Sequence, residues 1–125
     1  MITLLLVDDQ FSVLQGWKLL FSLEPDFQVV AEANNGRKAI ELARQRQPDV
    51  VLMDWKMPLI DGVEATAVIH ALGLPSNVII VSLYDTPTLW EQATEAGAVA
   101  FVAKQADPQK LIAAIRAVAT SPSKV

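Results

Sequence analysis

This sequence predicts a single α/β domain: one parallel sheet with helices on both faces. Three observations carry the prediction. First, short apolar runs stand at Ile2–Val7, 50–53, 78–81 and 99–103, each bounded by polar or turn residues. Runs this short, interrupted only by Thr3 in the first, read as strands buried on both faces. Second, stretches with apolar residues at helical spacing separate them, and strands alternate with helices five times. That alternation implies βαβ units with right-handed crossovers. Third, the chain has 125 residues, 52% of them apolar, which suits one domain with a real core and argues against disorder.

The elements follow in order. Ile2 to Val7 forms the first strand and ends in Asp8-Asp9. Residues 10–23 place Val13, Leu14, Trp17, Leu20 and Phe21 at helical spacing, with Pro25 just past the end. Phe27 to Ala33 alternates more than the other strands, through Gln28 and Glu32, and reads as an edge strand. Asn34-Asn35-Gly36 opens a helix over residues 37–46, with Ala39, Ile40 and Ala43 on one side. Pro48-Asp49 leads into Val50-Val51-Leu52-Met53-Asp54, a strand that ends in a carboxylate. After Asp61-Gly62, residues Ala65, Val68, Ile69 and Leu72 predict the apolar face of a third helix, closed by Gly73. Val78 to Val81 is the fourth strand and runs out at Ser82. Thr86-Pro87 has the form of an N-cap with proline at the first helical position, and Gly97 suits the other end of that helix. Val99 to Ala103 is the fifth strand, ending at Lys104. Asp107-Pro108 repeats the N-cap pattern, and Leu111, Ile112, Ile115 and Val118 give the last helix its core face. Residues 120–125 carry no apolar period and read as a tail or the start of a linker.

Composition narrows the function. The net charge of −4 gives no reason for this segment to bind nucleic acid through phosphates. With no cysteine, disulfides, thiolate catalysis and cysteine metal sites are excluded. The first residues lack the pattern of a signal peptide, and no stretch approaches a membrane span of about 18 apolar residues. A soluble, cytoplasmic protein is expected, with no membrane partner.

The chemistry lies at the strand ends. In a parallel sheet, Asp8, Asp9, Asp54, Ser82 and Lys104 all fall on the edge where ligands bind in open α/β folds. Three close carboxylates cannot all stay ionised cheaply without a cation. Lys104 supplies one positive charge, and a hard divalent ion with oxygen ligands, Mg²⁺, would supply the rest. Such a site suits a phosphoryl group in transit, with an aspartate as nucleophile forming an acyl phosphate. Mg²⁺, Lys104 and Ser82 would stabilise charge on the transferring oxygens.

Four segments, LLVDD, DVVLMDWKMPLIDG, VIIVSLYD and EAGAVAFVAK, stand in this order and at the spacing of a known family. The chain resembles the receiver domain of bacterial two-component response regulators over about residues 1–119, in the style of the NarL/LuxR-type transcription regulators. The resemblance implies a flavodoxin-like (CheY-like) sheet with strand order 2-1-3-4-5. It implies that Asp54 takes a phosphoryl group from a histidine kinase. Asp9 would bind Mg²⁺ directly, Asp8 through water, and the backbone carbonyl of Lys56 would be a further ligand. Lys104 would contact the phosphoryl oxygens, Ser82 would be the switch hydroxyl, and Phe101 the aromatic that changes rotamer with it. A homodimer favoured by phosphorylation is implied. DNA would be met only through a helix-turn-helix domain expected after residues 120–125 and absent from this sequence. Receivers assist their own phosphoryl transfer and dephosphorylation but are signalling phosphoacceptors rather than enzymes.

Several positions depart from the family pattern. Leu83 stands where a small residue is usual and would narrow access to Asp54. Gln105 replaces the proline that many receivers carry after the lysine, so a trans bond is expected there. Trp55 is larger than the subgroup's usual aliphatic residue. His70 lies off its helix's apolar face and reads as surface, Trp17 reads as core, and Trp90 is left open between core and partner surface. An alternative function is a stand-alone or pseudo-receiver that acts by docking without phosphorylation. A GTPase is excluded because no G-x-x-x-x-G-K-[ST] loop is present. An aspartyl-phosphate hydrolase is disfavoured because Lys56, not a second acid, lies two residues beyond Asp54. A flavin site lacks its hydroxyl- and glycine-rich loop, since Asp8-Asp9-Gln10 stands there.

Overall fold

A computed structural model describes residues 1–119; the expected tail at 120–125 lies outside the described residues. The order of elements is β1 (Ile2–Val7), α1 (Phe11–Ser22), β2 (Phe27–Ala33), α2 (Gly36–Arg46), β3 (Val50–Asp54), α3 (Gly62–Ala71), β4 (Asn77–Ser82), α4 (Pro87–Ala96), β5 (Ala100–Ala103) and α5 (Pro108–Ala119). The five strands form one parallel sheet in the order β2-β1-β3-β4-β5. This is the expected doubly wound architecture. β2 lies at an edge as its alternation predicted, and its register against β1 slips between Leu4 and Leu5.

Each strand divides its side chains between two cores, one on each face of the sheet. Leu5, Val7, Val51, Met53, Val78, Ile80 and Phe101 face α2, α3 and α4, where they meet Ala39, Ala43, Ala65, Ile69 and Ala93. Leu4, Leu6, Val50, Leu52, Ile79 and Val81 face α1 and α5, meeting Leu14, Phe21, Leu111, Ile112 and Ile115. Alternate residues point to opposite faces, so a strand covered on both sides must be apolar throughout. That is why the buried stretches of β1, β3 and β4 read as apolar runs. Phe21 and Phe27 meet edge to face at 5.8 Å in the second core.

The caps follow the sequence signals. Asn35 accepts from the Lys38 amide, and Asp61 and Glu64 form a reciprocal capping box at the start of α3. Thr86 caps α4 ahead of Pro87, and Gly97 ends it at φ +110. A Cβ on Gly97 would come within 2.7 Å of the His70 ring, so this glycine is fixed by space as well as by conformation.

Two expectations need correction. In α3, Val68 and Leu72 are exposed, and the buried stripe is Gly62, Ala65, Thr66 and Ile69. The helix packs close between its neighbours, so small residues line the contact. Thr66 is buried because its hydroxyl donates to the Gly62 carbonyl at 2.7 Å. Trp17 is half-buried against the α1/α5 core rather than enclosed by it.

Candidate functional site

The strand register brings the predicted acids together. β1 and β4 flank β3, so Asp8, just past β1, and Ser82, at the end of β4, lie on either side of Asp54. Asp8, Asp54 and Ser82 are all buried, and Asp9 is exposed. The carboxylates of Asp8, Asp9 and Asp54 each offer an oxygen within 4.8 Å of the others. Lys104, one residue beyond β5, reaches back across the edge. Its Nζ lies 2.8 Å from Asp8 Oδ2 and 3.1 Å from Asp54 Oδ1.

This arrangement shifts both partners. Burial, and then the charge on Asp8, push the Asp54 carboxyl up to about 6, against the opposing pull of Lys104. For Lys104, burial alone would lower the pKa, but hydrogen bonds and charge from Asp8 and Asp54 outweigh it and raise it. Asp8 Oδ1 accepts from the Gln10 amide at 2.8 Å. Oδ2 is buried and faces Lys104 Nζ at 2.8 Å. Three carboxylates this close, with one ammonium between them, form an oxygen donor set of the kind a hard divalent cation satisfies.

Above the acids is a cleft of about 160 Å³ lined by residues including Asp9, Asp54, Lys56, Ser82, Leu83 and Lys104. Ser82 Oγ accepts from the Tyr84 amide at 3.1 Å, which folds the β4–α4 loop over the strand end. Leu83 stands at the rim with its side chain exposed, and its carbonyl accepts from Gln105 Nε2 at 3.1 Å. No cis peptide occurs among the described residues, so the Lys104–Gln105 bond is trans as expected. Trp55 is buried against Phe101, edge to face at 6.3 Å, with Lys56 Nζ 5.5 Å from its ring centroid. Phe101 is itself buried and lies in the α2/α3/α4 core. Every residue predicted for the site is thus at or beside the C-terminal edge of the sheet, Phe101 and Trp55 behind it and the others around the cleft.

Two features escaped the sequence reading. Gly62 opens α3, as its place after Asp61 suggested, but it also packs against the phosphoacceptor candidate. A Cβ there would fall 2.1 Å from the Asp54 carbonyl oxygen, and the Gly62 amide donates to Trp55 O at 2.7 Å. Gly36 is held the same way beneath Ile60 of the β3–α3 loop. The second feature is Trp90, which stacks on Phe101 with ring centroids 5.0 Å apart. Its spacing from Phe101 in sequence carried no signal, because the contact joins α4 to β5.

Comparison with known proteins agrees with this geometry. The family model described as the response regulator receiver domain matches residues 4–116. The transcriptional regulatory protein UhpA of Escherichia coli is 42% identical over 120 residues, covering 96% of this chain and 60% of UhpA. This chain therefore spans about three fifths of that relative's length. The signal receiver domain of NarL from Mycobacterium tuberculosis superposes with a TM-score of 0.92 at 31% identity, covering 96% of this chain and 97% of that one. A LuxR-family two-component response regulator from Aurantimonas gives 0.90 at 34% identity, over 98% and 91%. With its sheet order, its acid-lined edge and these likenesses in agreement, the chain belongs to the response regulator receiver domain family, among relatives of the LuxR and NarL type.

Proposed function

We propose that this receiver takes a phosphoryl group onto Asp54 from a histidine kinase and passes the change to a DNA-binding output that regulates transcription. The observation that carries this reading is the buried Asp54 carboxylate, held 3.1 Å from Lys104 between Asp8 and Ser82. An Asp54 oxygen attacks the phosphorus of a phosphohistidine. The N–P bond breaks, the imidazole leaves with the electron pair, and an acyl phosphate forms. Lys104 exchanges its carboxylate partners for phosphoryl oxygens, and the Ser82 hydroxyl donates to another. Asp8, Asp9, Asp54 and the backbone carbonyl of Lys56 would hold Mg²⁺. Bound there, Mg²⁺ would supply positive charge against the acid cluster and the incoming phosphoryl group.

Burial of Asp54 raises its pKa, and the attacking form is the carboxylate, which the charge of Lys104 favours and which a bound cation would favour further. Leu83 and Trp55 act as modulators, one at the rim of the cleft and one behind Asp54. Phe101 responds to the movement of Ser82 by changing its packing. In the whole protein the altered receiver favours a homodimer that places two DNA-binding domains on paired half-sites. The likeness to transcriptional regulators, of which the chain spans about three fifths, supports that output. The receiver also promotes loss of its own phosphoryl group. The cytoplasm is the compartment where a kinase-fed switch of this kind works, and among the described residues no helix is long and apolar enough to cross a membrane.

The test is intact mass after incubation with Mg²⁺ and a small-molecule phosphodonor, with and without a chelator, beside Asp54→Asn. A single phosphoryl adduct that requires both Mg²⁺ and Asp54 is expected. An adduct that persists in the variant would move the acceptor elsewhere. No adduct in folded protein would favour a module that signals by docking alone.

A further inference from the structure

Trp90 makes two contacts that no role given so far uses. Its single donor, Nε1–H, is given to Asp85 Oδ1 at 2.6 Å. Its ring stacks on Phe101 at 5.0 Å and 27°. Phe101 in turn meets Trp55 edge to face, and Trp55 follows Asp54 in the chain. Asp85 lies three residues after Ser82, in the loop between β4 and α4. It immediately precedes the Thr86 cap, and Trp90 is the fourth residue of α4. This is the position pair that, when apolar, staples a chain onto the start of its helix. Here the staple is a hydrogen bond to a carboxylate, short and charge-assisted.

We infer that Trp90, held by Asp85, is a positioning residue that ties the Ser82 loop to the aromatic stack behind Asp54 and thereby restrains the phosphoryl-bound arrangement. The inference rests on the proposed phosphoacceptor function and adds a restraint to it. Movement of Ser82 toward a phosphoryl group on Asp54 carries the loop, and Asp85 with it. The indole bridges Asp85 and Phe101, which repacks as Ser82 moves, so it cannot keep both contacts as they stand. One of the two contacts must give way. Whatever stabilisation that contact supplies is present before phosphoryl binding and absent after it, so it opposes the change. Trp90 is partly exposed on a groove it shares with Asp85, Pro87, Glu91, Thr94 and Glu95. The restraint is therefore set at the surface, away from the acid cluster.

The experiment titrates beryllium fluoride, a noncovalent stand-in for the phosphoryl group, in the presence of Mg²⁺. Bound ligand is followed by ¹⁹F NMR. Asp85→Ala and Trp90→Phe both remove the hydrogen bond, and the second keeps an aromatic ring against Phe101. Each is expected to tighten binding three- to ten-fold. The double variant should bind no tighter than the stronger single one, because both remove the same contact. Asp85→Asn keeps an acceptor and should stay within two-fold of wild type. A purely structural role would lower the melting temperature of the variants and leave affinity unchanged or weaker, which would overturn the inference. Fully additive effects would overturn it too. Failure of the wild type itself to bind would sink the phosphoacceptor reading and this restraint together, whereas a binding wild type with unresponsive variants would sink the restraint alone.

Discussion

Replacing Asp54 by asparagine should make the metal-free domain more stable, by an amount that depends on pH. In the folded protein the Asp54 carboxyl is raised from 3.8 to about 6, first by burial and then by the neighbouring charge of Asp8. A raised carboxyl holds its proton better folded than unfolded. Its contribution is fully present below about pH 4 and is lost as pH rises through about 6. At about 1.4 kcal/mol per pH unit, the difference between the two values puts the penalty for ionised Asp54 at about 3 kcal/mol above pH 7. The pull of Lys104, 3.1 Å away, is already contained in that difference, and asparagine, carrying no charge, escapes the penalty. The gain expected at pH 8 is therefore about 3 kcal/mol, shrinking to about 1 kcal/mol near pH 4.5. Urea unfolding followed by circular dichroism, in chelator, from pH 4.5 to 8.5, measures the gap directly. Adding Mg²⁺ at pH 8 should narrow it, because the ion stabilises only the protein that binds it. A gap that stays constant across this pH range, or an Asp54→Asn variant less stable than wild type at pH 8, would refute the reasoning.

Other perturbations test neighbouring parts of the site. Lys104→Ala leaves Asp8 and Asp54 facing one another without their cation and should cost about 1–3 kcal/mol in chelator, with most of it recovered by Mg²⁺. Phosphoryl uptake should persist while the activated state is impaired; full stability in chelator would remove Lys104 from the balance of charge. Gly62→Ala sets a Cβ 2.1 Å from the Asp54 carbonyl oxygen, which is backbone and cannot swing aside. A loss of about 2–4 kcal/mol and a poor phosphoryl adduct are expected, read by thermal melting and intact mass, and a normal protein on both counts would contradict the contact. Leu83→Ala opens the rim of the cleft and should hasten loss of the phosphoryl group several-fold in a time course of adduct mass. An adduct that lives as long as in wild type would show that Leu83 is no barrier.

Much of this architecture was legible in the chain because burial on both faces leaves a plain signature. The apolar runs of β1, β3 and β4, broken only by Thr3 near the start of the first, point to the sheet, and acids at the ends of the first and third point to its working edge. Caps such as Asn35, Asp61 and Thr86 were readable since each acts within a few residues. What could not be read depended on three-dimensional packing. Of the stripe expected in α3, Ala65 and Ile69 are buried but Val68 and Leu72 are not, because helical spacing alone does not say to which side of that pair the contact extends. Thr66 looked polar until its hydroxyl was seen bonded to Gly62. Gly62 and Gly36 owe their places to backbone from the β3 end and the β3–α3 loop, and Trp90 owes its place to a ring on another element. None of these leaves a periodic trace.

The order of strands also bears on how the protein comes into being. No neighbouring pair in the sheet is a hairpin, since a helix intervenes between every two strands. Leu4 pairs with Val50, and Lys104 closes on Asp8 from the far end of the domain. Such distant pairings meet the entropy of closing a long loop before any contact repays it, which makes folding slow for a chain of this size. Synthesis proceeds from the N-terminus, so the three acids emerge well before the lysine that balances them. A nascent chain still lacking β5 holds an acid cluster whose own repulsion opposes assembly. The charge at the working edge is therefore balanced from within the chain only once β5 and Lys104 have joined the sheet.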